Sequence, residues 1–337
     1  MSRVYILLVN WNGWRDTVEC LESVFRIDYP DYRVVVCDNG STDNSIERIR
    51  SWAEGKTTVE VSAENPLRRL SWPPVPKPVS HVEYDRKRAE SGGDPAGDSA
   101  RLILVRTGAN LGFAGGNNVG LRHALARDDF EYAWLLNNDT VVEPGALTAL
   151  VRRMEGAPRA GICGSTLPFY SKPGKLWARS GATYNRWFAY AKCIGIHQPV
   201  ESPADPEEVE RKMDYVAGAS MLVSRAFLRD IGLMDEGYFL YFEEPDWAVR
   251  ARGRYGLAYA RDSVVYHKVG ASTSSLEKSP GNRSASTLRN SSSAMRFTRK
   301  HYPLAVPTVW LTLLGVRTAA ACKDLCRRNP VSRGSRS

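Results

Sequence analysis

Short apolar runs alternate with amphipathic stretches along the first half of the chain. Val4 to Val9 precedes a helix-like stretch from Asp16 to Phe25, and Arg33 to Cys37 precedes Asn44 to Trp52. Leu102 to Val105 is followed by Asn117 to Arg127, and Trp134 to Leu136 by Pro144 to Met154. The apolar runs have strand length and no polar alternation, as strands covered by helices on both faces do. This β–α alternation predicts an α/β fold with a mostly parallel, doubly wound sheet. Ser41 or Asp43 is placed to cap the second helix.

Beyond Met154 the runs shorten. Ala160 to Ser165 and Met213 to Val223 are apolar, Arg225 to Ile231 and Asp246 to Tyr255 read as helices, and Leu257 to Ala260 with Val264 to His267 read as strand pieces. Two stretches break the pattern. Ser62 to Ala100 is rich in Pro and Gly around a charged centre and is expected to be a mobile surface insertion. Ala271 to Ser293 is Ser-rich and poor in apolar residues, hence expected as a loop or connector. The division expected is a main domain over residues 1–270 and a connector with a C-terminal tail over 271–337.

A chain of 337 residues can bury a substantial core. Arg3 leads directly into V-Y-I-L-L-V, too short for a signal peptide and better read as the first strand. No run of about 18 apolar residues marks a membrane span. The apolar stretch from Leu304 to Ala321 carries Pro307 and Arg317 and predicts a helix lying on a surface. The six cysteines are scattered, and Cys322 and Cys326 have no accompanying pair to complete a zinc site. A reduced, cytoplasmic setting is expected. The net charge of +9 is uneven: from Gly281 onward eleven Lys and Arg stand against Asp324 alone. This basic, partly apolar tail predicts attraction to anionic lipid and peripheral attachment at the cytoplasmic membrane face. Nucleic acid is not an expected partner, because no aromatic platform or recognition motif accompanies the charge.

The chemistry gathers where strands end. W-L-L-N-N-D-T places Asn137, Asn138 and Asp139 at the exit of a buried strand, where open α/β sheets hold ligands. A carboxylate flanked by amides there suits a hard divalent cation, although an Asn/Asp turn would end a strand equally well. V-N-W-N-G brings Asn10 and Asn12 to the first strand's exit, and D-N-G-S-T-D brings Asp38 and Asp43 to the second's. N-L-G-F-A-G-G-N-N, with Gly112, Gly115 and Gly116, precedes a helix and permits close backbone approach to a phosphate or sugar. It is not G-x-G-x-x-G, so the dinucleotide fingerprint is absent and a nicotinamide dehydrogenase is not expected. Y-F-E-E-P-D-W crowds Glu243, Glu244 and Asp246 at a helix start, where mutual repulsion can raise one carboxyl toward a general base. His267 ends an apolar run and gains a role only if it folds back onto Asp139.

These motifs, in this order and together with G-x-x-x-L-V-x-R, resemble the family 2 inverting glycosyltransferases, nearest the rhamnosyltransferase-like branch of polysaccharide assembly. The resemblance covers about residues 3 to 301 apart from the insertion. It implies a GT-A fold with a nucleotide-binding sheet, a smaller acceptor-side mixed region and a basic helical tail. It also implies a nucleotide-diphosphate-sugar donor, a glycan or lipid-linked acceptor, and Mg2+ or Mn2+. Carried over by position, Asn10, Asn12, Asp38 and Asp43 would lie along the nucleoside, with Gly112, Gly115 and Gly116 as the wall beside the donor. Asn138 and Asp139 match the end of the metal motif, Asp139 coordinating, and His267 would complete the metal or diphosphate contact. The catalytic base falls to Glu244 or Asp246, because Glu244 stands where this branch carries Asp. The aromatic region from Trp177 to His197 is a candidate acceptor-side wall. The competing expectations are a sugar-nucleotide-forming nucleotidyltransferase and a non-catalytic binding protein.

Overall fold

The computed structural model describes residues 2–269 and 280–315, apart from the side chains of 280–289. The first half alternates as expected. β1 (Val4–Asn10) leads to α1 (Trp14–Val24), β2 (Tyr32–Asp38) to α2 (Ser45–Ala53), and β3 (His81–Asp85) to the short α3 (Arg86–Glu90) and α4 (Ala96–Ser99). β4 (Leu102–Arg106), α5 (Gly112–Arg127), β5 (Tyr132–Leu136), β6 (Thr140–Val142) and α6 (Ala146–Glu155) follow. The second half holds β7 (Ala160–Phe169), β8 (Lys172–Arg179), β9 (Gly181–Asn185), β10 (Tyr190–Cys193), α7 (Pro206–Lys212), β11 (Tyr215–Val216) and β12 (Ser220–Ser224). It continues through α8 (Arg225–Ile231), α9 (Glu243–Ala251) and β13 (Gly256–His267) to α10 (Pro280–His301) and a helical segment at 306–315.

Ten strands form one sheet in the order β3-β4-β2-β1-β5-β12-β7-β13-β6, with β8 paired to β7. The first five run parallel, and β12 is antiparallel to both of its neighbours. From β1 the chain steps to β2 on one side and later to β5 on the other. The carboxyl ends of these strands therefore flank a topological switch point, where such sheets leave a crevice. Side chains alternate faces along each strand. Ile6, Leu8, Val34, Val36 and Trp134 pack on one side with α1, α2 and α6. Tyr5, Leu7, Val35 and Leu135 pack on the other with α5, α8 and α9. A three-stranded sheet, β10-β9-β11, stands beside the main one.

Two stretches differ from expectation. The 62–100 segment supplies β3, the edge strand, paired in parallel with β4. It also buries Leu67, Leu70, Val75 and Val79. Its prolines break the alternation that a sequence pattern needs, while four spaced apolar side chains suffice to fasten it. Glu22 on α1 provides the polar anchor: it accepts from Trp52 Nε1 at 2.7 Å, Val75 N at 2.7 Å and Lys77 Nζ at 3.3 Å. The Ser-rich stretch expected as a connector is helical from Pro280. Its docking uses a narrow stripe, Ala294, Phe297 and Thr298, so tertiary burial and not local propensity makes this helix. Residues 271–279 and the 316–337 part of the basic tail, with Cys322 and Cys326, lie outside the described residues. No helix among the described residues is long and apolar enough to cross a membrane.

Glu22 is fully buried, so replacing it strands a buried amide, an indole N–H and the Lys77 charge. Glu22→Ala is expected to lower unfolding stability by about 3 kcal/mol, read as a shifted midpoint in urea. An unchanged midpoint would show that the 62–80 segment is not anchored there.

Candidate active site

Parallel register sets the first part of the site. Asn10 pairs with Asp38 at the ends of β1 and β2, so the two side chains emerge level. Asn10 Nδ2 donates to Asp38 Oδ1 at 2.8 Å and to Ser41 Oγ at 3.1 Å, while Asn10 Oδ1 accepts from Thr17 Oγ1 at 2.8 Å. Asn12, in the left-handed region at φ 51°, accepts from Thr42 N at 2.8 Å. Asp38 also accepts from Ser41 N at 3.3 Å. These groups staple two strand exits together. Asp43 accepts from Ser45 N at 3.1 Å in the first turn of α2. None of the four lines the main cavity, whereas their chain neighbours Val9, Trp11 and Asn39 do.

The glycine-rich loop is shaped by packing. A Cβ on Gly112, whose φ is +73°, would fall 2.1 Å from the Phe239 carbonyl oxygen. On Gly115 it would meet Leu111 at 2.6 Å, and on Gly116 it would meet Val9 at 2.8 Å. Gly112 lines the cavity, while Gly115 and Gly116 let α5 lie close to its neighbours. Asn39 fastens the loop, donating to Asn110 Oδ1 at 3.2 Å and Gly112 O at 3.0 Å and accepting from Leu111 N at 3.1 Å. Asn118 makes a reciprocal pair with the Met234 backbone and also donates to Glu236.

Antiparallel pairing of β13 with β6 sets His267 opposite Thr140, one residue past Asp139. His267 Nε2 lies 3.2 Å from Asp139 Oδ1. Apart from this contact Asp139 Oδ1 is buried with no hydrogen bond, and His267 Nδ1 is buried without a hydrogen-bond partner among the described residues. Burial pushes the Asp139 carboxyl up, but His267 and Lys268 outweigh it and hold the group below its ordinary value. An ionised, buried, unsatisfied oxygen beside an imidazole fits Mg2+ or Mn2+. No third His, Cys, Asp or Glu joins them among the described residues. Asn138 Nδ2 donates to Thr17 Oγ1 at 2.9 Å, tying this turn to α1 and β1, and Asn137 also lines the cavity.

The acidic start of α9 splits into two environments. Asp246 is fully buried, and its Oδ1 receives His301 Nε2 at 2.7 Å and Lys300 Nζ at 2.8 Å. Its Oδ2 receives Arg250 Nε at 2.9 Å. Burial opposes the charge, yet His301, Lys300 and Arg250 hold the carboxyl far below its usual value. Asp246 does not line the cavity; Glu243 and Glu244 do. Burial pushes Glu244 up to about 7, against stabilisation by the Gly218 N–H. Burial and the Glu244 charge push Glu243 well above the carboxylate range, and its Oε2 has no partner among the described residues. Gly218 leaves room for the base candidate, since a Cβ there would sit 2.3 Å from Glu244 Oε1.

Asp139, His267, Asn138, Gly112, Glu243 and Glu244 thus face one cavity of about 670 Å³. Its far wall includes Trp177, Tyr184, Tyr190 and Cys193 from the aromatic region singled out in the sequence, and Phe242. Trp177 meets the His267 ring edge-on at 4.7 Å. Sequence reasoning placed Glu243 in the acidic cluster without choosing it as base and gave no ligand role to Asn39 or Gly218, although Gly218 opens the G-x-x-x-L-V-x-R motif.

The family model for glycosyl transferase family 2 matches residues 5–65 and 93–232. A low-salt glycan biosynthesis hexosyltransferase, Agl10, from Haloferax volcanii is 27% identical over 153 residues, 45% of this chain and 46% of that protein. An N-acetylglucosaminyl-diphospho-decaprenol L-rhamnosyltransferase from Mycobacterium tuberculosis is 28% identical over 218 residues, 57% of this chain and 67% of that protein. The match thus spans about half of the hexosyltransferase's length. The mannosyltransferase PcManGT from Pyrobaculum calidifontis, solved with GDP-Man and Mn2+, superposes with a TM-score of 0.52 at 17% identity. That likeness covers 98% of this chain and 81% of the mannosyltransferase, and the two share a fold.

Asp246 titrates below its unfolded value of about 3.9, so its stabilisation is present above that pH and is lost as pH falls beneath it. Asp246→Asn is expected to cost about 2 kcal/mol at pH 7. In urea melts the gap between variant and parent should close as pH drops below about 4. A gap that persists in acid would remove the ion cluster as its cause.

Proposed function

The chain belongs to glycosyl transferase family 2, and from that premise we propose that it is an inverting, metal-assisted transferase. Its donor is a nucleotide-diphosphate-sugar, and its acceptor is a hydroxyl of a glycan or lipid-linked glycan. One observation carries the reading: a carboxylate raised to about 7 and a buried, unsatisfied carboxylate beside an imidazole line the same cavity. The first suits proton removal near neutral pH, and the second suits a cation at a diphosphate. Neither a nucleotidyltransferase nor a binding protein needs a base poised in this way.

Glu244 is the base in this reading. Its ionised carboxylate takes the acceptor hydroxyl's proton as the oxygen attacks the anomeric carbon from the face opposite the diphosphate. The bond from that carbon to the diphosphate oxygen breaks, its electron pair leaves with the nucleoside diphosphate, and the configuration inverts. Glu243, buried next door and held protonated, keeps a second negative charge out of the cavity and leaves Glu244 to titrate. Asp246 positions the helix and takes no proton. Asp139 and His267 would hold Mg2+ or Mn2+, which when bound supplies positive charge to the leaving diphosphate. Asn10, Asn12, Asp38 and Asp43 serve the nucleoside side by fixing the loops that carry Trp11 and Asn39. The PcManGT complex with GDP-Man and Mn2+ supports this donor class. The relative whose name specifies a diphospho-decaprenol acceptor supports a lipid-linked one. The basic C-terminal region adds a peripheral membrane location to the proposal.

The purified chain should release nucleoside diphosphate from a nucleotide-sugar panel only with Mg2+ or Mn2+ and acceptor present. Release of pyrophosphate would refute the reading. Glu244→Gln should lower kcat at least about a thousandfold with donor KM little changed. In the parent, kcat should fall as pH drops through about 7, because Glu244 takes up its proton there. A Glu244→Gln enzyme of parental rate would move the base elsewhere. Asp139→Ala should abolish the Mn2+-dependent rise in melting temperature given by GDP, UDP or dTDP. An undiminished rise would take Asp139 out of the metal site.

A further inference from the structure

Large apolar side chains left in solvent are concentrated in two segments. Trp187, Phe188 and Tyr190 project from the β9–β10 hairpin, and Leu304, Trp310 and Leu311 from the C-terminal run. Leu304 is 85% exposed, Tyr190 62%, Leu311 61% and Trp310 55%, values far from those of packed side chains. The two segments are adjacent: Thr308 Oγ1 donates to the Trp187 carbonyl at 2.7 Å. The 306–315 helix buries Val309 against the body and turns Trp310, Leu311 and Leu314 outward. Contiguous exposed apolar surface on this scale marks an interaction site.

Charge identifies the partner. The hairpin from Gly181 to Cys193 holds Arg186 and Lys192 and no acid. Arg186 lies by the Trp187 ring at 5.6 Å and the Tyr302 ring at 5.9 Å. Arg299 on α10 is exposed, and from Gly281 onward Asp324 is the sole acidic residue. Tryptophan and tyrosine mixed with aliphatic side chains and cations is the composition that settles at an anionic headgroup layer. The same hairpin reaches the site, because Ala189, Tyr190 and Ala191 line its cavity, as does Asn290 of α10.

We propose that the β9–β10 hairpin tip and the 306–315 helix together form a seat for an anionic bilayer surface, holding the cavity mouth at the headgroups. This rests on the reading of the cavity as a site for a lipid-linked acceptor and names the surface that would meet the lipid. Membrane contact is thereby assigned to the hairpin and the 306–315 helix in addition to the basic tail.

The test is sedimentation of the full chain with phosphatidylcholine vesicles and with mixed phosphatidylcholine–phosphatidylglycerol vesicles. The parent should bind the mixed vesicles, more weakly as salt rises. Trp310→Ser/Leu311→Ser and, separately, Trp187→Ser/Phe188→Ser should each weaken that binding about tenfold or more. Arg299→Gln should weaken binding to the mixed vesicles alone. Each substituted side chain is exposed, and thermal melts will show whether a variant remains folded. Parental binding by both apolar variants overturns the proposal, as does a parent that binds neither vesicle. Loss of a concentration-dependent dimer in the variants, seen by analytical ultracentrifugation with vesicle binding intact, assigns the surface to a second copy and also overturns it. The melting rise given by GDP, UDP or dTDP with Mn2+ should be unaltered in Trp310→Ser/Leu311→Ser. Because that rise reports the cavity alone, its absence in the parent would count against the functional reading, while vesicle binding judges the surface independently.

Discussion

Asp246 is fully buried, and a bare carboxylate so placed would cost several kcal/mol. The cost is met by two cations, Arg250 from its own helix and Lys300 from the end of α10, and by the His301 imidazole at 2.7 Å. That match seats α10 across the start of α9. It brings Phe297 to 5.4 Å from both Tyr184 and Phe242, closing an aromatic wall behind the acids. Tyr241 and Phe242 enter α9 with φ of 68° and 73°, a conformation that persists only where surrounding packing enforces it. Two and three residues before Asp246, no cation among the described residues pairs with Glu244 or Glu243. Burial raises both, the Glu244 charge adds to it at Glu243, and backbone N–H groups offset it only in part, so carboxylates in one helical turn end far apart.

This contrast also marks the limit of what the sequence could convey. Strand-length apolar runs and their helices were legible, because burial on both faces leaves an uninterrupted pattern. So were the strand-end polar residues, and the pairing of His267 with the strand after Asp139 brings together two of them. The different surroundings of Glu244 and Asp246 were not legible, since those of Asp246 depend on His301, 55 positions further along the chain. β3 escaped notice because its partner β4 and its anchor on Glu22 are tertiary. α10 escaped because Ser-rich composition predicts no helix until Phe297 and Asp246 are given a place to meet it.

The donor side is built by a different economy. Asn10, Asn39 and Asn118 are buried, and their amides are occupied with strand exits, the glycine loop and the Met234 turn. An amide can accept and donate at once, so each joins two segments without burying charge. Gly112 and Gly116 then let backbone approach backbone and strand where any side chain would collide. Residue types that suggest ligand contact in a motif instead fix the shape that a ligand would meet. Asp139 is the exception: among the described residues its Oδ1 meets the His267 imidazole but makes no hydrogen bond.

The β9–β10 hairpin has to satisfy two surroundings. Its root turns Ala182 and Tyr184 toward the cavity, and its tip exposes Trp187 and Phe188. The C-terminal run has the same division, with Lys300 and His301 fixed on Asp246 and Trp310 and Leu311 in the open. The hydrogen bond from Thr308 to the Trp187 carbonyl joins the outer ends of both. The C-terminal run therefore reaches from that outer surface to the ion cluster at the first turn of α9. Glu244 stands in that turn and lines the same cavity as Ala189, Tyr190 and Ala191 of the hairpin.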